Sequence, residues 1–365
     1  MGKIISNNMQ TMEIKNNKPR LEWVDTAKGI CILLVILYHT TGHLIDVHSQ
    51  MAIMLRATRM PLYFTIAGLF VSIKSISTFI EKKINRLIIP FCFFIFIGNV
   101  FGYFFHLFWD EDFYYFSPLY FAYTEDKNWL FINFPIWFLI SLFDVYLLFI
   151  LINEIANLFP KCSTLIKVSL GIVSGICGFA CNRIGIDLPL LIDTSLSAIP
   201  FFIFGHITMS KTILFRYEYK LYTILLLIFL LFAISFLLSK GDIDYFRNNP
   251  KTTFFCAYIP SVFGVTAFLL LSKAINKIPI ITRIGRYSIV YLGTHALFPA
   301  HIRQFLETQT GIYDKIAIDL IVFSSTILLC SLSCWFLLKT VPSLIAQKDL
   351  INIVGFHNKH KQNNK

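Results

Sequence analysis

Charge is scarce in this chain. Asp, Glu, Lys and Arg make up 15% of its 365 residues, and Leu87 to Trp109, Leu221 to Ser239 and Thr252 to Ser272 contain none of them. Those stretches exclude an ordinary water-soluble fold, and each is long enough to cross about 30 Å of hydrocarbon as a helix. Paired CxxC motifs and HExxH are also missing, which removes the usual zinc signatures. Cys177 and Cys181, like Cys330 and Cys334, are one helical turn apart in apolar sequence and read as small packing residues. His39 and His43 have chelating spacing but no third ligand, so no metal is expected. There is no internal repeat, no appended soluble domain and no loop longer than about 25 residues, so any chemistry must occur among the helices or at their ends. Without a pair of short Gly/Pro-broken segments in matching halves, an inverted-repeat transporter is the less attractive class.

What is present is apolar: 56% of residues are hydrophobic. The pattern predicts an all-α integral membrane protein, a bundle of about ten transmembrane helices near 27–46, 57–73, 87–108, 130–152, 165–181, 189–209, 221–239, 252–272, 287–304 and 318–338. The first run starts at Gly29 and ends in polar, His-containing sequence instead of a small-residue cleavage site, so it is expected to be a retained span. With the amino terminus in the cytoplasm, the inside segments hold 23 of the 32 Lys and Arg. The outside segments hold 9, Arg56 and Arg59 among them, so the positive-inside rule puts both termini in the cytoplasm. The loop with Asp110, Glu111, Asp112, Glu125 and Asp126 then faces outward. The organisation expected is a cytoplasmic segment 1–26, a transmembrane domain 27–338 and a basic cytoplasmic tail 339–365, frayed from Asn352 onward. The net charge of +11 is dispersed over short loops beside anionic lipid, so membrane lipids, and not nucleic acid, are the expected partners.

Polar groups inside the apolar runs need a reason. His39 follows Lys28 by eleven residues, three helical turns plus roughly 20°, which puts both on one face about 16 Å apart. Asp25 is three residues before Lys28 and can pair with it at the helix start. A second cluster, Lys82, Lys83 and Arg86, precedes an apolar helix; it serves topology or binds an anion. In a third, Ser288, Tyr291 and His295 recur at i, i+3 and i+7 and would share one face. Trp137 reads first as an interfacial anchor.

Taken in order, these segments resemble the acyltransferase type 3 family of membrane O-acyltransferases. The resemblance rests on Trp23 to Ile30 running to His39, Met60 to Gly68, the basic run to Arg86 and Pro90, Ile136 to Leu139, Ile199 to Gly205, and Ser288 to His295. The first segment is most similar to the branch containing fucose 4-O-acetylases. Two departures stand out: Ala67-Gly68 replaces a Ser-Gly, and Lys82, Lys83 and Arg86 replace paired arginines. Lysine keeps the charge and loses the bidentate fork.

The resemblance implies an O-acetyltransferase that uses acetyl-CoA and acts on a cell-surface or lipid-linked glycan in a bacterial cytoplasmic membrane. Lys28, Lys82, Lys83 and Arg86 would hold the nucleotide end of the donor. His39 would be general base or acyl-carrying nucleophile, with His295 an equal candidate for the base. Ser288 and Asp25 are further catalytic candidates, and Tyr291, His295 or Trp137 would orient the acceptor or stabilise an oxyanion. A glycolipid or acyl-donor transporter lined by His39 and His295 is the competing class, and a non-catalytic partner in polysaccharide assembly is the third.

Overall fold

The structure is a computed structural model that describes residues 20–42, 44–46, 48–109, 133–211, 220–312 and 314–352. The acidic loop at 110–127, His43 and the end of the tail from 353 lie outside the described residues.

Helices make up most of the described residues. In chain order they are α1 (Glu22–Thr40), α2 (Gln50–Leu69), α3 (Ile76–Lys83), α4 (Ile89–Trp109), α5 (Trp137–Asn157), α6 (Ser163–Arg183), α7 (Ile192–Lys211) and α8 (Leu221–Leu238). A hairpin of β1 (Ile243–Asp244) and β2 (Asn249–Pro250) follows, then α9 (Phe254–Ile275), α10 (Pro279–Arg286), α11 (Ser288–Thr294), α12 (Pro299–Gln309) and α13 (Lys315–Thr340). The protein is therefore an all-α membrane protein, with eight helices long and apolar enough to span a bilayer among the described residues. Phe64, Phe91, Phe149, Phe202, Ile32 and Ile199 fill the centre. Leu226, Phe229, Leu237 and other apolar side chains of α8 point outward, as a lipid-facing helix requires.

Two of the ten expected spans do not appear as long apolar helices. The helix expected at 57–73 starts seven residues earlier, at Gln50, so Arg56 joins Arg59 in α2, and neither is a loop charge. Pro61 lies inside α2 and cannot donate to Ala57 O, which instead accepts from Ser261 Oγ of α9 at 2.7 Å. The helix expected at 287–304 is broken: α11 has seven residues, a 3₁₀ turn covers His295–Leu297, and α12 restarts at Pro299. Pro299 has no N–H to continue the ladder and disfavours helical backbone at Phe298. Asn133 Nδ2 donates to Gly293 O at 2.9 Å, capping a carbonyl freed at the break.

Close backbone approach sets the positions of α1 and α2. A Cβ on Gly285 of α10 would sit 1.8 Å from Asp25 O, and one on Gly29 would sit 2.1 Å from Ile281 O. Gly205 of α7 and Gly68 of α2 pack in the same way: a Cβ on either would sit 2.0 Å from a carbonyl oxygen of the other helix, Thr65 O and Phe202 O respectively. Small residues let helices meet where lipid offers no hydrophobic drive. Gly205→Leu is expected to cost more than about 3 kcal/mol, because backbone and not a flexible side chain blocks the new atoms. A fall in the unfolding temperature of the detergent-solubilised protein checks this; an unchanged value would show that α2 and α7 can move apart freely.

After α13 the chain turns back over the π-helical turn Ile84–Ile88 that follows α3. Asn85 Oδ1 accepts from Leu350 N at 2.7 Å and from Ile351 N at 2.9 Å, and Asn85 Nδ2 donates to Ile351 O at 2.8 Å. Ile345 and Ala346 are buried beneath this strap.

Candidate functional site

Most of the residues expected to carry function line two cavities that share a wall, and Asp25, Tyr291 and His295 line neither. The first, of about 470 Å³, is lined by Lys28, Lys82, Lys83 and Arg86, together with Ser288, Tyr146 and Phe79. The second, of about 480 Å³, is lined by His39, Trp137, Arg56, Arg59 and the β1–β2 hairpin. Tyr63, Phe138 and Leu292 line both and form the partition.

The lysine cavity gathers cations that are far apart in sequence. Lys28 reaches it from the first turns of α1. Lys82 and Lys83 come from the end of α3, and Arg86 from a π-helical turn at Ile84–Ile88 that joins α3 to α4. Such a turn widens the helix and re-aims side chains, and it commonly occurs at functional sites. Lys83 Nζ lies 3.6 Å from the ring centre of Tyr146. Arg86 donates to Ala346 O and pairs with the half-exposed Asp349 at 3.5 Å, so the strap holds it at the rim.

Asp25 does not line either cavity. Arg20 grips its carboxylate through two nitrogens at 2.5 and 2.9 Å, and Arg286 Nε lies 3.8 Å away. That hydrogen-bonded fork holds the Arg20 guanidinium above its ordinary pKa. The carboxylate is thus committed to arginines at the start of α1, in place of the expected partner Lys28.

His39 occupies the last turn of α1, which ends at Thr40 and not at the expected residue 46. The Thr40 and Thr41 hydroxyls bond back to Ile36 O at 2.8 Å and Leu37 O at 2.7 Å. Buried Asp319 of α13 then captures the next backbone, accepting from Gly42 N at 3.0 Å and Leu44 N at 2.7 Å. Arg303 of α12 completes the clip, donating to Asp319 Oδ1 at 2.5 Å and to Thr40 O at 2.8 Å.

The helix break separates the stripe expected from Ser288, Tyr291 and His295. Ser288 faces the lysine cavity, and the Tyr291 hydroxyl bonds Ser331 on α13 at 2.9 Å. His295 turns toward α1, its ring centre 5.4 Å from that of His39. Its Nδ1 lies 3.0 Å from both Tyr291 O and Leu292 O. Carbonyls only accept, so Nδ1 carries a proton, and in the neutral form of the ring the lone pair lies on Nε2. Nε2 is fully buried with no hydrogen-bond partner among the described residues.

Aromatic side chains form much of the histidine cavity. Phe134 packs edge-on to His39 at 5.0 Å, and Trp137 lies 6.3 Å from Phe246 of the hairpin. Buried Asn248 fixes the hairpin: Ser197 Oγ donates to its Oδ1 at 2.7 Å, and its Nδ2 donates to Gly178 O at 2.8 Å. Asn248 takes a positive φ of 46°, which asparagine tolerates in a turn. Burial pushes the Tyr245 phenol well above its ordinary pKa, with Asp242 adding to the effect, so it faces the cavity as a neutral hydroxyl.

Sequence reasoning missed Arg59, Arg56 and the hairpin with Asp242. A signal for the first two was present, because two arginines at i, i+3 spacing just before an apolar run share a helix face. No group of three His, Cys, Asp or Glu is placed to hold a metal among the described residues.

Fold and site together define a multi-pass helical membrane protein with a cationic cavity beside an aromatic one that holds a histidine. The chain belongs to the acyltransferase type 3 family: a family model described as an acyltransferase domain matches residues 21–338. No curated protein and no solved structure matches it.

Proposed function

We propose that this acyltransferase is an O-acetyltransferase moving acetyl from acetyl-CoA to a hydroxyl of a cell-surface or lipid-linked glycan. The observation that carries the reading is the pair of cavities: cations fit for a polyphosphate on one side of a partition three side chains wide, and a histidine with flat aromatic walls on the other. Both volumes fall in the range of small-molecule sites. In this reading residues 27–338 form one transmembrane domain in a bacterial cytoplasmic membrane, with both termini and the lysine cavity on the cytoplasmic side, where acetyl-CoA is made.

Lys28, Lys82, Lys83 and Arg86 hold the phosphates, and the pantetheine arm runs along α1 toward the partition. The acceptor enters the histidine cavity and stacks on Trp137. His39 takes the hydroxyl proton as the oxygen attacks the thioester carbon. The tetrahedral intermediate collapses with loss of the C–S bond, and the imidazolium returns the proton to the leaving thiolate. The products are an acetyl ester and free CoA thiol. His295, its tautomer fixed by two carbonyls, orients His39 from behind.

The test is release of CoA thiol from acetyl-CoA by purified protein supplied with membrane glycolipid extract. Release in step with ester formation supports the reading; ester-free hydrolysis, or no release with the acceptor present and succinyl-CoA and other acyl donors also tried, would defeat it. Lys83→Gln with Arg86→Gln is expected to raise KM for acetyl-CoA by about 10- to 100-fold while changing kcat little, since charged hydrogen bonds to phosphate serve binding. An unchanged KM in steady-state assays would remove the donor from this cavity.

A further inference from the structure

The histidine cavity holds more positive charge than its own acids neutralise. Arg56, Arg59, Arg247 and Lys251 line it against two carboxylates, Asp242 and Asp244. Both carboxylates are already engaged. Asp242 lies 3.2 Å from Arg56 and 4.0 Å from Lys251, and Asp244 lies 3.8 Å from Arg247.

Arg59 is the cation with no carboxylate of its own, because the nearby Asp242 is shared with Arg56 and Lys251. It makes no ion pair within salt-bridge distance among the described residues; its guanidinium carbon sits 3.7 Å from the ring centre of Tyr38, whose hydroxyl is its hydrogen-bond partner. Its Nε and Nη1 are buried without a hydrogen-bond partner. The backbone at Arg59 is anchored, because Cys31 Sγ donates to Arg59 O at 3.0 Å. A guanidinium fixed in a cavity wall with unused donors carries a desolvation penalty that a neutral ligand would not offset. An oxyanion would, and the planar fork matches the geometry of a carboxylate or phosphate. The ring centres of Tyr38 and His39 are 5.1 Å apart and both side chains line this cavity with Arg59, so a group bound at Arg59 is close to the imidazole.

We propose that the acceptor is an anionic glycan, whose carboxylate or phosphate docks on Arg59 and thereby presents a neighbouring hydroxyl to His39. Trp137, Phe246 and Tyr245 supply flat surfaces for the sugar ring, and the paired Asp242 and Asp244 hold the remaining arginines in place. This rests on the histidine cavity being the acceptor side of the acyltransferase. Arg59 is a binding and specificity residue in this scheme, while the proton transfer belongs to His39.

The experiment uses the full chain in detergent and reads binding apart from catalysis. Without acetyl-CoA, calorimetric titration compares three probes: a glucuronate-containing oligosaccharide, a glycosyl phosphate, and a neutral oligosaccharide of the same size. The anionic probes are expected to bind about 10- to 100-fold tighter than the neutral one, and less so as salt rises. The ratio of the two anionic probes distinguishes carboxylate from phosphate. Arg59→Gln should remove the preference and Arg59→Lys should keep part of it. The same probes are then offered as acceptors with acetyl-CoA.

Equal affinity of the wild type for neutral and anionic probes, or no binding of either anionic probe, overturns the proposal even if the variants fail to fold. So does an equal loss of kcat in Arg59→Gln for both acceptor types, which would make Arg59 a transition-state group. Arg59-dependent anion binding with no acetyl transfer would uphold the anion site and defeat the acyltransferase reading. Transfer to neutral acceptors at the same kcat/KM would do the reverse.

Discussion

Replacing His39 with alanine is expected to lower acyl transfer by about 10²- to 10⁴-fold, the range for loss of a positioned general base. The side chain lies at the cavity surface in the last turn of α1, so its removal leaves no buried partner stranded and the protein should still fold. KM for donor and acceptor should change little, because the cations and aromatic walls are untouched. The assay is initial-rate ester formation by a variant shown to be monodisperse, with CoA thiol measured in parallel. If His39→Ala retained wild-type kcat, the base would have to be another group, and His295 Nε2, buried 5.4 Å behind between ring centres, is the nearest alternative among the described residues. A rapid burst of CoA thiol in the absence of acceptor, lost in the variant, would instead identify an acyl-histidine step.

Asp319→Ala is expected to have the largest effect on stability, about 3–5 kcal/mol, the range for breaking a buried pair by deleting one partner. The carboxylate is fully buried, bonds Arg303 and accepts from two backbone amides just past His39. Its loss strands those donors and releases the end of α1, so transfer should fall with stability. Asp319→Asn keeps an acceptor for the amides and should be milder. Thermal unfolding in detergent, with and without acceptor, checks the order; equal unfolding temperatures for wild type and Asp319→Ala would show that the clip does not hold α1.

Much of this arrangement is legible in the sequence. Charge-free stretches mark α4, α8 and α9, because a helix in lipid leaves no other reading of such runs. The cations Lys28, Lys82, Lys83 and Arg86 stand out for the same reason, and the structure brings them to one cavity. Other features depend on tertiary contacts that periodicity cannot show. Arg56 and Arg59 look like loop charges because α2 begins before the apolar run does. The stripe from Ser288 to His295 assumes an unbroken helix, yet Pro299 and the capture of Gly293 O by Asn133 divide it. Asp25 resembles a partner for Lys28 until Arg20 and Arg286 are seen around it. The hairpin over His39 is held by Asn248 through contacts with residues 51 and 70 positions earlier, which no local pattern reveals.

The central claim is that donor and acceptor approach from opposite sides of the partition formed by Tyr63, Phe138 and Leu292. The most direct measurement is acetyl transfer in proteoliposomes of uniform orientation, with acetyl-CoA supplied to one face and the glycan acceptor confined to the other. Transfer should occur when acetyl-CoA is on the Lys28 face and the acceptor on the His39 face, and not in the reverse arrangement. Transfer that required both substrates on the same face would contradict the account.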